Sequence, residues 1–305
     1  MNTTTATIAE TAQSMPAKGL LFSLSGTIIL STNYITAKYG LTGFRPESFC
    51  LIWSISAAFF SLVIIFITGQ QRRLKVPKSA ALKLFLIGLA NGIGILLGWA
   101  GLARLDPAFS SFLWRFLPML GILFGFMFLK ERFSRGEIFP VALMISGGFV
   151  SAFGRWEHVG TGIVLTLLSC CAAAIQMGLA KVVVKDVGST IIPFYRALTG
   201  IFIVSIWLLL TDSANFDVPA SYWGVTILGA FLGPCLSLIL IYRSYTYWEL
   251  SRSSAILTIE PLMVIPQAYV LLGKFPATQE LIGGSIILFG AVWLTLLHQR
   301  QAAAN

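Results

Sequence analysis

Acidic side chains are scarce in this chain, with 12 Asp and Glu in 305 residues against 21 Lys and Arg. Charged residues of both signs make up 11%, where a soluble domain carries roughly a quarter. A water-soluble fold does not fit that supply. Histidine occurs twice, at His158 and His298, and the four cysteines (Cys50, Cys170, Cys171 and Cys235) all lie inside apolar stretches. No disulfide framework and no metal-ligand spacing can be built from them, so no metal and no cofactor are expected. GxxxxGK[ST], HExxH and GxSxG motifs are missing too, which leaves ATP hydrolysis and the common hydrolase chemistries without their residues. The chain is not expected to be an enzyme. Residues 1–18 lack both the basic start and the short apolar core of a cleaved leader, and are expected to form a mobile cytoplasmic tail.

What the chain has in abundance is hydrophobic sequence, at 56% of residues. Ten apolar runs stand out, at 19–38, 46–69, 79–101, 107–129, 136–154, 161–182, 190–210, 222–243, 251–272 and 280–298. At ~1.5 Å rise per residue, about 20 residues of helix cross the ~30 Å hydrocarbon layer. The runs do not alternate polar and apolar residues, so an outer-membrane barrel is excluded. The expected fold is an all-α membrane protein of ten transmembrane helices.

The net charge of +9 could suggest a nucleic-acid partner, but the basic residues sit in short loops between apolar runs. With the amino terminus inside, 14 of them fall on the inner side and five (Lys38, Arg45, Arg104, Arg155 and Lys274) on the outer. That is the positive-inside bias. It places both termini in the cytoplasm, names the lipid bilayer as partner and leaves no case for nucleic acid.

A second regularity organises the chain. Displaced by 143 residues, it matches itself without a gap: Gly19 falls on Gly162, Ala37-Lys38 on Ala180-Lys181, Pro118 on Pro261, Glu137 on Glu280 and Gly147 on Gly290. A constant offset over five helices implies a duplicated unit, residues 19–154 and 162–298. Five is odd, so the second copy enters the bilayer inverted. Inverted five-helix repeats suit an alternating-access carrier with its site between the halves.

The stretches "FLPMLGILFGFMFLKERFSRGE" and "YTYWELSRSSAILTIEPLMVIPQAYVLLGKF", with "ISGGFV" and "LIGGSIILFGAVWL" after them, resemble the helix-four-to-five signatures of EamA-type members of the drug/metabolite transporter superfamily. The resemblance implies ten helices, inverted repeats and the movement of small metabolites, amino acids included, across the inner membrane. Two positions depart from the pattern. The acid kept as Glu131 in the first unit is Lys274 in the second, and the Arg found as Arg196 in the second is Trp53 in the first.

Within the runs, Arg115 in "FLWRFLPML" is the costliest residue. A guanidinium near a bilayer centre costs from ~2.5 to above 10 kcal/mol, depending on the method, so it must face protein or water. Glu260 in "TIEPLMV" lies at an equivalent depth, because the offset maps it onto Leu117. Two readings follow. Either the pair fastens the repeats together, or both residues line a cavity where Arg115 grips a carboxylate and Glu260 holds an ammonium group or exchanges a proton.

Pro118 and Pro261 follow these charges at equivalent places. Mid-helix proline bends a helix and frees a carbonyl, so both are expected to act as hinges or to be static kinks. Asn33 and Gln176 are repeat equivalents suited to face the cavity or to hydrogen-bond between helices. Asn91 in "LANGIGILLG", Trp114, and the equivalents Trp99 and Tyr242 are further candidates for substrate contact or packing. Arg196 in "IIPFYRAL" is expected near the cytoplasmic face, snorkelling or gating with an acid such as Asp186. Gly147-Gly148 and Gly283-Gly284 read as helix-packing faces.

The expected function is secondary transport, in the export direction, of small zwitterions such as amino acids, driven by substrate or proton gradients. The alternatives are an organic-anion uptake carrier and a membrane scaffold, the latter requiring Arg115 and Glu260 sealed together with no cavity around them. A channel would need charged rings or a continuous polar stripe, and the helices are too apolar for either.

Overall fold

The computed structural model describes residues 2–117, 119–120, 135–187, 191–237, 240–241, 244, 256–257 and 259–304. Among these it forms ten α-helices and no strand: α1 (Asn2–Gly43), α2 (Pro46–Ile67), α3 (Lys78–Arg104), α4 (Pro107–Leu113), α5 (Ile138–Ala152), α6 (Trp156–Val187), α7 (Ile191–Thr211), α8 (Ala220–Phe231), α9 (Glu260–Leu272) and α10 (Thr278–Ala304). The π-helical stretch Leu232–Ser237 continues α8. Seven helices are long and apolar enough to cross a membrane, α1 doing so from Lys18, while α5 and α9 are shorter apolar helices. The expected runs 107–129, 222–243 and 251–272 extend into residues outside the described set, as do Pro118, Tyr242 and Glu131.

The amino-terminal segment shares a helix with the first span. The stretch taken for a mobile tail is helical from Asn2 and continues into the first span. Its Ala residues favour a helix, and one already nucleated by the span propagates at little cost.

Local sequence sets the helix starts. Pro46, Pro107 and Pro261 each stand in a first turn, where the missing N–H is no loss. Asp106 caps α4, its Oδ1 accepting from the amides of Ala108 (2.8 Å) and Phe109 (3.4 Å). Several buried hydroxyls within helices are satisfied one turn back, as with Thr27 on Ser23 O, Ser151 on Gly147 O and Thr166 on Gly162 O. No water is therefore needed to pair them.

The exterior is apolar, with Leu209, Phe153 and Val270 each more than three-quarters exposed; acyl chains are the solvent that suits such a surface. Small residues bring the helices together. A Cβ on Gly94 of α3 would stand 3.1 Å from Ala172 of α6, and one on Gly98 would stand 2.7 Å from Ser169 Oγ. Gly147 of α5 and Gly283 of α10 abut so closely that a Cβ on either would run into the other's carbonyl. Of the two glycine pairs, Gly147 and Gly283 pack on each other, whereas Gly148 faces Phe116 and Gly284 meets the ring of Phe112.

Candidate functional site

Helix α4 ends at Leu113, and the chain turns at Trp114 and Arg115. The Arg115 amide reaches back three residues to Phe112 O (3.0 Å) and the Leu117 amide to Trp114 O (3.1 Å). Across the repeat, the Ile259 amide donates to Ile256 O (3.2 Å) before α9 begins at Glu260. Both chains of hydrogen bonds therefore break within repeat-equivalent stretches. Pro261 accordingly lies in the first turn of α9, not in a helix middle, and it marks a break where a kink was expected. The reason is local: proline cannot donate to the carbonyl four residues back, which is that of Leu257.

Arg115 fills the opening before α9. Its Nη1 donates to Leu257 O at 3.1 Å, and its Nη2 pairs with Glu260 Oε2. The Glu260 side chain is 5% exposed and that of Arg115 16%. Two charges taken from water need close geometry and further hydrogen bonds to offset their desolvation, and the Leu257 carbonyl supplies one. Tyr34 of α1 stands beside both charges.

The pair is not sealed. It borders a cavity of about 460 Å³, within the size range of small-molecule sites. All six expected substrate contacts (Arg115, Glu260, Trp114, Asn33, Gln176 and Asn91) line it. Arg196, expected near the cytoplasmic face, lines it as well; Asn91 Nδ2 donates to the Arg196 carbonyl at 3.4 Å.

The lining carries the repeat. Asn33 on α1 is matched by Gln176 on α6, Trp53 on α2 by Arg196 on α7, Asn91 on α3 by Pro234 in the π stretch after α8, and Leu117 by Glu260. Each pair is separated by 143 residues. Trp53, Pro234 and Leu117 were missed as lining residues, although applying the offset to Arg196, Asn91 and Glu260 would have found all three. Tyr34 and Ser110 had no such signal.

Polar atoms along this wall are short of partners. Among the described residues, Asn33 Oδ1, which packs against Gly233, has no hydrogen-bond partner, and neither do Ser110 Oγ, Trp99 Nε1 and Arg115 Nε. Trp53 and Trp99, both in the cavity wall, meet edge to face at 5.1 Å, and Phe49 packs against both. A smaller cavity of about 140 Å³ between α3 and α7 has Tyr195 in its wall, whose hydroxyl is already given to Leu74 O at 2.6 Å. Among the described residues no His, Cys, Asp and Glu cluster could hold a metal.

Apolar helices around a polar, charge-bearing cavity define a multi-pass membrane protein with a binding chamber inside the bundle. The chain belongs to the EamA-like transporter family, which matches residues 17–153 and again 160–296, an offset of 143 at both ends. It is a membrane transporter of the drug/metabolite transporter type. Protein RarD of Salmonella typhimurium is 23% identical over 288 residues, covering 85% of this chain and 90% of its own. Protein RarD of Escherichia coli K12 is 24% identical over the same length. A crystal structure of a protein 15% identical in sequence shares the fold with a TM-score of 0.63, over 93% of this chain and 99% of that one.

Proposed function

We propose that this chain is an alternating-access secondary carrier of the bacterial inner membrane that exports small zwitterionic metabolites of the amino-acid kind. The carrying observation is the cavity: it encloses Arg115 and Glu260 and is lined by repeat-equivalent residues from both halves. A carrier built from two inverted five-helix repeats is expected to place its site on their pseudo-twofold axis. The positive-inside count supports both termini in the cytoplasm.

In this reading the substrate carboxylate competes for Arg115 while its ammonium group takes Glu260, so the ion pair opens as substrate binds and re-forms when it leaves. A self-neutralised empty site lowers the cost of crossing the bilayer between turns of the cycle. Glu260 would take up a proton when no ammonium is present, which couples transport to a pH gradient. Breaks before Pro118 and Pro261 act as the hinges, and Arg196 as a gating contact. A scaffold would have sealed the pair without a cavity, and 460 Å³ of space speaks against it.

One observation favours a second reading. Arg196 brings a second guanidinium to a chamber with one carboxylate, which suits an organic anion. Counterflow into proteoliposomes across a panel of amino acids and monocarboxylates, with and without a pH gradient, separates the two. Zwitterion exchange sensitive to Glu260→Gln supports the first reading, and anion exchange indifferent to it supports the second. Exchange of neither class defeats the proposal.

A further inference from the structure

We infer that Lys38 is a latch that shuts one end of the cavity. Lys38 lies on α1 one turn beyond Tyr34, and its side chain is buried at 6% exposure. An ammonium group has three donors, and here each has an acceptor: Leu102 O at 2.7 Å, Ala103 O at 2.9 Å and Leu105 O at 2.6 Å. Leu102 and Ala103 lie in the last turn of α3 and Leu105 is its cap; at a helix end carbonyls run short of amide partners, although Leu102 O also accepts the Leu105 amide at 3.3 Å, and the helix dipole favours a cation.

The contact crosses between groups of helices. α1 packs chiefly on α8 and α9, whereas α3 packs chiefly on α6 and α7, and α1 touches α3 only lightly. Lys38 is therefore a strap between two packing units. Leu102, whose carbonyl it holds, itself lines the cavity, so the strap lies against the chamber wall. The charged groups acting on it are Asp106 from the α3–α4 turn and Lys274 from the α9–α10 loop. Neutral carbonyls, unlike a carboxylate, can be exchanged for water when that end opens without stranding an opposite charge. A static tie would not need that property.

The inference rests on the carrier reading, since a latch has meaning only if the chamber opens. The test replaces the four native cysteines, adds Ala173→Cys in the cavity wall, and measures its reaction with a membrane-impermeant maleimide from each side. Compared with Lys38, Lys38→Met should raise the labelling rate at least tenfold from the side bearing the α1–α2 turn, and not from the other. Lys38→Gln, a milder change, should give an intermediate rise, and Lys38→Arg should restore slow labelling. A cap that only stabilises α3 would lower the melting temperature in Lys38→Met and Lys38→Gln without a one-sided rise, and that result overturns the latch. Equal labelling beside intact wild-type counterflow removes the latch alone. Equal labelling with no wild-type counterflow removes the carrier reading as well.

Discussion

Arg115 donates from Nη1 to the carbonyl of Leu257 at 3.1 Å, and that carbonyl is free because Pro261, four residues on, has no amide hydrogen to offer it. The proline thus prepares an acceptor for a charge from the other repeat. Pro261→Ala restores a donor that competes with Arg115 and lets α9 extend toward its amino terminus. The melting temperature in detergent should stay the same or rise, while counterflow falls about tenfold, equivalent to ~1.4 kcal/mol. Wild-type counterflow in a variant of raised melting temperature would deny the break any part in transport.

The Arg115–Glu260 pair joins the two repeats and borders the cavity, and a double substitution separates a fastening role from a transport role. Arg115→Ala leaves Glu260 buried and unpaired, so stability should fall by about 3–5 kcal/mol. Arg115→Met combined with Glu260→Leu removes both charges at similar volume, and most of that loss should be recovered. Transport should stay absent in the double variant. If the stable double variant transports at the wild-type rate, the pair is a fastener only.

Much of this arrangement was legible in the sequence, and the limits have a physical pattern. Run length pointed to the seven helices that are long and apolar enough to span, because crossing hydrocarbon demands about 20 apolar residues whatever their order. The offset that set Glu260 opposite Leu117 put it at the depth of Arg115, and the two are paired. Less visible were contacts made to main-chain oxygens, such as Lys38 on the end of α3 and Arg115 on Leu257. Side-chain patterns do not report which carbonyl lacks its amide. Distance along a helix gives depth but not direction, so the place of Arg196 in the cavity wall was not legible either.

Glycines at helix contacts should divide into two classes. Gly283→Ala drives a methyl group into the Gly147 carbonyl and Ser151, and overpacking of that kind costs about 1–3 kcal/mol. Gly224 in α8 has nothing within 4 Å of the equivalent position. There Gly224→Ala should raise stability by ~0.5–1 kcal/mol through helix propensity. Melting of the two purified variants beside wild type checks both signs, and a stable Gly283→Ala protein would contradict the close approach of α5 and α10.

Asp106 offers a pH test outside the membrane spans. Burial pushes its carboxyl above the usual range, while the amides of Ala108 and Phe109 and the nearby Lys38 ammonium pull it back only in part. A folded value above the unfolded one means that the native state binds the proton more tightly. Stability is therefore gained as pH falls through that raised value, and the ionised form costs stability at pH 7. Asparagine caps a helix as well as aspartate does and carries no charge, so Asp106→Asn should match or exceed wild type at pH 7. Its advantage should shrink as the pH is lowered toward the carboxylate range. Asp106→Ala loses the cap and should lie ~1 kcal/mol below Asp106→Asn at both ends of that range. Should Asp106→Asn fall as far as Asp106→Ala at pH 7, the negative charge beside Lys38 holds the α3–α4 turn and the acceptor oxygen does not.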